Sequence, residues 1–339
     1  MKTFKYFAMS LMAVALCVGF ASCGDDDEEG PTNKSIDASL LKGTWKCVDE
    51  DGDYEILDFK TDGRLLWSAC YETPDKRVQA VTRVYLYDVN AATGLVRIGR
   101  YTSNSTWDLH VKTLKNDELT WYDDEETTTF QRYTGKKPTE IDGQEFVDLG
   151  LSTMWASCNV GANSPLKAGY YFQWGNTSTS RSGWKSDNYD LNSYYYTEIS
   201  GNSSYDPAMT AWGSKWTTPT LEQMQELLSQ CSVYMNTNSS GTRYFVAVGA
   251  NGNFIYLPLS GAYPLGLSNG SVLYDNFQCW LMTGNQQNRR PYYLRGRYTN
   301  ETTSPDINIT TDEAQLISAM PIRAVSTSEN DLSTGNQRW

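Results

Sequence analysis

Trp107-Asp108-Leu109-His110-Val111-Lys112-Thr113-Leu114 alternates apolar with polar side chains, and this period of two decides how the first part of the chain reads. Successive side chains on a strand point to opposite faces, so Trp107, Leu109 and Val111 share a core face while Asp108, His110 and Lys112 face water. Working outward, the flanking runs 44–49, 54–60, 64–70, 79–89, 94–101, 118–123 and 127–133 are also strand-like. Asp51-Gly52, Thr61-Asp62-Gly63, Ala92-Thr93-Gly94 and Lys115-Asn116-Asp117 supply tight turns between them. Sequential antiparallel strands joined by hairpins are what an up-and-down barrel needs; a flattened β-sandwich is the rival arrangement.

His110 is the single histidine of the 339 residues. On the polar face of a strand it reads as a surface group. Without a second histidine, histidine-based hydrolase triads and His-rich zinc sites have almost no basis. Leu41-Lys42-Gly43-Thr44-Trp45 resembles the Gly-x-Trp opening of lipocalin-like domains. That resemblance covers residues 38–134 and implies a barrel that could hold one small apolar ligand, although small barrels are often filled by their own side chains.

Thr134-Gly135-Lys136-Lys137-Pro138-Thr139-Glu140 is a polar, proline-containing break, and the chain changes character after it. Residues 146–175 run from Phe146-Val147-Asp148-Leu149-Gly150 through Trp155-Ala156-Ser157-Cys158-Asn159-Val160-Gly161 to Tyr170-Tyr171-Phe172-Gln173-Trp174-Gly175. Trp216-Thr217-Thr218-Pro219-Thr220 follows, then Leu221 to Cys231, Gly249 to Gly261 and Ile322-Arg323-Ala324-Val325. In this order the motifs resemble the Fibrobacter succinogenes major paralogous domain of Bacteroidetes surface lipoproteins. The resemblance implies an α+β, C-type-lectin-like domain over 140–325, followed by a polar tail, 326–339.

The expected fold is therefore β-rich and two-domain, an N-terminal antiparallel lipocalin-like β-barrel before a C-terminal C-type-lectin-like domain. The residues read the same way locally. Thr220 and Gln223 are spaced as a capping box for a helix over 221–230. Leu221, Met224, Leu227, Leu228 and Cys231 then share its core face. Asn251-Gly252 before Phe254-Ile255-Tyr256-Leu257 signals a hairpin, and Ile322 to Val325 is the expected last strand. The family pattern often shows Cys where Cys158 and Cys231 stand, which implies a disulfide between them; two buried thiols are the alternative. The sequence departs from the family at Cys279-Trp280-Leu281-Met282-Thr283-Gly284, which replaces a Tyr-Trp-Ser-Ser-Thr-like run. Arg289, Arg290, Arg295 and Arg297 cluster nearby and could meet an anionic group or pair with local carboxylates.

At the N-terminus, Lys2 and Lys5 precede an apolar run to Phe20, then Ala21-Ser22-Cys23 and the acidic Gly24-Asp25-Asp26-Asp27-Glu28-Glu29. This reads as a secretory signal over 1–22, too short for a membrane span of about 20 apolar residues. Small residues before Cys23 resemble a bacterial lipobox, and the acidic run resembles the export signal of Bacteroidetes outer-membrane lipoproteins; Cys17 fits less well. Cys23 is therefore the expected lipidation site and 23–37 an acidic tether. The expected location is the outer membrane, facing the exterior, with the lipid anchor on Cys23 as the membrane contact. A net charge of −12 leaves no electrostatic case for nucleic acid. Beyond Cys23 the cysteines Cys47, Cys70, Cys158, Cys231 and Cys279 are odd in number and lack metal-ligand spacing.

Aromatic residues are densest over 170–216. The resemblance places Tyr170, Tyr171, Phe172, Trp174 and Trp216 in recurring motifs and so in the core. Trp184, Tyr189, Tyr194, Tyr195 and Tyr196 lie outside those motifs, in a Ser/Asn/Gly-rich stretch read as long loops, and are the ligand-binding candidates. Rings beside amides and carboxylates suit sugars, and Tyr/Ser/Gly/Asn surfaces suit protein partners equally well. The calcium-lectin tripeptides Glu-Pro-Asn, Gln-Pro-Asp and Trp-Asn-Asp do not occur, so no cofactor is expected; Asp187, Asp190 and Asp206 leave calcium open. No phosphate loop, dinucleotide fingerprint or nucleophile elbow occurs, and no enzyme activity is expected. Binding of extracellular glycan for uptake or adhesion is the expected function. A protein-interaction role in an outer-membrane complex and carriage of a small apolar ligand are the alternatives.

Overall fold

The computed structural model describes residues 34–74, 77–123, 126–178, 196–264, 271–299, 305–311 and 318–327. The chain divides into two compact units, with the boundary between Pro138 and Thr139.

In the first unit, β1 (Gly43–Val48), β2 (Tyr54–Phe59), β3 (Arg64–Glu72), β4 (Val78–Asn90), β5 (Leu95–Gly99), β6 (Thr106–Leu114), β7 (Glu118–Tyr122) and β8 (Thr127–Arg132) close into an antiparallel barrel. Every hairpin neighbour pairs, and β1 closes on β8 with Trp45 opposite Arg132. The up-and-down barrel is therefore present and the sandwich is not. Alternation sets the inside: Leu109 and Val111 of β6 are buried, while His110 between them is not. Gly94 turns β4 into β5 at φ +68°, where a Cβ would lie 2.8 Å from the Lys34 carbonyl, so only glycine fits.

One end of the barrel is shut by the 3-10 turn Ala38–Leu41, capped by Asp37, whose side chain accepts from the Ser39 amide. Leu41 is fully buried and its carbonyl accepts from the Trp45 indole N–H at 2.8 Å. The Arg132 guanidinium lies 3.6 Å over the Trp45 ring and donates to the carbonyls of Leu40, Lys42 and Asn116. Above this plug the interior is a ladder of rings. Phe59, Trp67, Tyr85, Trp107, Trp121 and Phe130 pack at centroid distances from 4.9 to 6.4 Å, edge to face except for the tilted Trp67–Trp121 pair. The chain leaving β8 crosses the outer face: Lys137 Nζ is 3.0 Å from Asp58, and Tyr133 shares the Lys46 ammonium with Tyr54. The barrel unit thus continues past residue 134 as far as Pro138.

The second unit is built from short pieces. β9 (Glu140–Ile141), β10 (Gln144–Val147) and β11 (Met154–Ala156) pair in sequence, and β11 also pairs with β20 (Val325–Ser326). The helices α1 (Pro207–Trp212) and α2 (Leu221–Gln230) follow. Then come the sheet β12 (Ser232–Thr237), β13 (Arg243–Val248) and β14 (Phe254–Pro258), and the pair β15 (Tyr263–Pro264) with β19 (Ser318–Ala319). The sheet β16 (Gln278–Gln287), β17 (Arg290–Arg297) and β18 (Asp306–Thr310) completes the set.

Helix α2 occupies the expected span, and Thr220 and Gln223 make a complete capping box. The hairpin at Asn251-Gly252 joins β13 to β14. The last strand is displaced: Ile322, Arg323 and Ala324 are buried but lie outside it, and Ser326, read as tail, pairs with Met154. Helix α1 falls inside the stretch read as loop. Its start depends on the buried Asp206, which accepts from the amides of Gly201, Ala208, Met209 and Thr218 and from the Thr218 hydroxyl.

The expected Cys158–Cys231 disulfide is absent; both remain thiols, as do Cys47, Cys70 and Cys279. Cys231 caps the C-terminus of α2, and the Cys158 sulfur contacts the Ser157 hydroxyl. Cys47 and Cys70, on β1 and β3 of the barrel, are not paired with each other either. Cys47 is opposite Glu55 and Cys70 is opposite Tyr54, so the register puts the two sulfurs on opposite faces of the barrel wall.

Candidate functional site

An open cleft of about 530 Å³ in the second unit is lined by Gly161, Asn163, Lys167, Tyr170, Tyr171, Tyr263 and Val272, among others. The loop that lines one side of it is anchored by a buried cation. Arg323 is fully buried and donates to the Asn159 side chain at 2.9 Å and to the carbonyls of Ala156, Ser157 and Tyr256. Asn159 in turn donates to the Ala168 carbonyl at 3.0 Å, which ties the 159–169 loop to this rivet. A buried charge is tolerated only when its donors are met, and four oxygens meet these.

The glycines of that loop are steric requirements. A Cβ on Gly161 would lie 2.4 Å from the Tyr170 ring, and one on Gly169 (φ +73°) would lie 2.3 Å from the Val160 carbonyl oxygen. Tyr171 donates its hydroxyl to the Ser260 carbonyl at 2.6 Å and meets the Tyr263 ring at 6.2 Å. Burial, with the Asp275 carboxylate nearby, raises the Tyr171 phenol above its ordinary range, so it stays a neutral donor. Rigid rings, an amide, an ammonium and open access make a surface for a polar ligand with an apolar face.

The loop from Val272 continues to a second aromatic feature. Tyr274 stacks on Trp280 at 6.2 Å with 13° between the ring planes, and its ring is half exposed. Phe277 and Leu273 beside it are also exposed.

Of the candidates read from the sequence, Trp184, Tyr189, Tyr194, Tyr195 and Cys23 lie outside the described residues. Tyr196 is exposed, packs at 4.8 Å on Tyr205 and is not among the cleft's lining residues. Phe172, Trp174 and Trp216 are core residues as expected; the two indoles donate to Thr283 and Ile141 carbonyls. Tyr170 packs against the core beside Phe172, and Tyr171 packs with Tyr263 and Ala319, as expected; both are only partly buried, and their remaining surface lines the cleft. Tyr263 and Tyr274 were missed. The sequence signal for Tyr274 was its place in Tyr274-Asp275-Asn276, a turn-forming run carrying a large ring.

Asp206 is not a cation ligand: its two oxygens are consumed by the donors named above, and burial raises its pKa against their pull. Asp187 and Asp190 lie outside the described residues. Among the described residues no cluster of His, Cys, Asp or Glu is placed to hold a metal, and no helix is long and apolar enough to cross a membrane.

These features define a β-rich protein of two units, one of them a closed eight-stranded antiparallel barrel. No family model matches the chain, and no curated protein is similar to it in sequence.

Proposed function

We propose that this chain is a non-catalytic surface lipoprotein, acylated at Cys23 on the outer membrane, whose second unit binds extracellular glycan. The observation that carries the reading is the open cleft with Tyr170, Tyr171 and Tyr263 beside Asn163 and Lys167. Tyrosine rings offer apolar area at little entropic cost, and the amide and ammonium offer hydrogen bonds to hydroxyls. The second unit is C-type-lectin-like and belongs with the Fibrobacter succinogenes major paralogous domain. The capping box at Thr220, the Asn251-Gly252 hairpin and the pairing of β11 with β20, which joins the unit's two ends, support this. The first unit is lipocalin-like, supported by the Gly43-x-Trp45 plug under Arg132. Its ring-filled interior favours a structural role over carriage of apolar cargo.

A protein-interaction role is the second reading, favoured by Phe277 and Leu273, which are 58% and 41% exposed. The two are separated by screening the purified chain on a broad glycan panel, with calcium and with chelator. Retention of a glycan is expected, and its survival in chelator would match the absence of the calcium-lectin tripeptides. A folded chain that retains nothing would overturn glycan binding and leave the protein-partner reading.

A further inference from the structure

We infer that Tyr274 is a stacking platform for one pyranose ring of a neutral glycan, extending the Tyr171/Tyr263 cleft along the 272–278 loop; this rests on the glycan-binding reading above. Three rings lead from core to water. Tyr293 is fully buried, Trp280 packs on it at 4.9 Å and is 5% exposed, and Tyr274 lies nearly parallel to Trp280 in an offset stack at 6.2 Å and is 51% exposed. The exposed face of Tyr274 is thus a flat apolar surface steadied by an offset stack on a second ring, the shape that accepts the apolar face of a sugar.

The backbone holds this ring at a cost. Tyr274 has φ +60° and Asn276 φ +58°, in the left-handed region that non-glycine residues seldom occupy. Such strain persists only where the surroundings over-determine it. Here they do: the Tyr274 carbonyl accepts from the Phe277 and Gln278 amides, and Leu273 exchanges backbone bonds with Ala262. Asn276 accepts from the Arg243 amide and donates to the Gly241 carbonyl. Gly261 lies so close that a Cβ there would sit 2.0 Å from the Leu273 carbonyl. A core-forming role needs no strained, half-exposed tyrosine; a pre-positioned contact does.

The polar groups around the ring select the ligand's charge. Gln278 accepts from the Trp280 indole N–H at 2.9 Å, and the register sets Arg297 between Gln278 and Asp306 and Arg295 between Trp280 and Asn308. Opposite residues of an antiparallel pair share a face, so cation, carboxylate and amide sit side by side. Donors and acceptors together suit hydroxyls, which do both. Asp275 acting on Tyr171 and the net charge of −12 work against a polyanion. Val272 lines the cleft and Tyr274 is two residues on, at most about 7 Å of chain, so a short oligosaccharide can reach both.

The test measures binding of the full chain to laminarin, xylan, galactomannan and polygalacturonate, with Tyr274→Asn and Tyr274→Phe beside the wild type. Asparagine accepts a positive φ and removes the ring; phenylalanine keeps the ring. We expect one or more neutral polymers to bind, Tyr274→Asn to weaken that binding about tenfold or more, and Tyr274→Phe to stay close to wild type. Hydroxyl-radical footprinting of the wild type, which needs no variant to fold, should show Tyr274 protected by the same polymer. Unchanged binding by Tyr274→Asn, or an unprotected Tyr274 under saturating polymer, overturns the platform and leaves glycan binding standing. Preference for polygalacturonate overturns the neutral class. A folded wild type that binds no polymer of the panel overturns both readings together.

Discussion

At the residue scale the most consequential side chain of the barrel is Glu55. It occupies an inward position on β2, in register with Cys47 and Ala69. Burial pushes its carboxyl up to about 7; the Trp67 indole N–H pulls the other way, while Glu126 and Asp49 add to the rise. A carboxyl whose folded pKa lies above its unfolded value of 4.5 binds its proton more tightly in the folded state. Between those two values the native chain carries the extra proton, so stability falls as pH rises, and the loss is complete above about 7. The difference corresponds to roughly 3 kcal/mol. Denaturant unfolding of the barrel at pH 5 and pH 8 should show this loss in the wild type and a flatter profile in Glu55→Gln. Equal slopes in the two proteins would show that Glu55 ionises freely. The thiols follow the same physics. Burial raises Cys47 to about 11 and Cys279 to about 12, so both are protonated and inert at neutral pH.

At the scale of elements, α1 shows how a short helix depends on one group. Six residues are too few to be stable alone, and its first turn is held by the Asp206 carboxylate. Because that carboxylate also binds Thr218, it fastens the helix start to the segment that leads into α2. Asp206→Ala leaves those buried donors unmet and should cost about 2–4 kcal/mol. Hydrogen exchange should localise the loss to 201–218; uniform protection in the variant would show that the carboxylate is dispensable. The barrel strands behave differently. They were legible almost residue by residue, since 64–70 and 107–114 appear as Arg64–Glu72 and Thr106–Leu114. Hairpins between neighbours in sequence require little beyond local alternation and a turn.

On the scale of the whole molecule, each unit carries its own core, one around Trp45, Trp67 and Trp121, the other around Trp174, Trp216 and Tyr293. Calorimetry should therefore resolve two transitions, and a bound glycan should raise only the one belonging to the second unit, by an amount that grows with ligand concentration. A glycan that shifted the barrel transition instead would move the site to the first unit.

The sequence by itself determined the strands of the first unit, the turns between them, helix α2 with its capping box and the Asn251-Gly252 hairpin, because each is written in residues a few positions apart; closure of those strands into a barrel rather than a sandwich was decided by the pairing of β1 with β8. The tertiary structure alone decided which rings face water. Tyr170, Tyr171 and Phe172 are consecutive and chemically similar, and only Phe172 is fully buried, paired with Met320 far along the chain, while the two tyrosines are partly buried. It likewise decided that Asp206 is a buried cap and that Cys47 and Cys70 lie on opposite faces of one wall. It placed Tyr274 on Trp280 through a loop pinned by Ala262 and Asn276. In a unit of short strands and long connections, burial is set by contacts between distant segments, and no local periodicity encodes them.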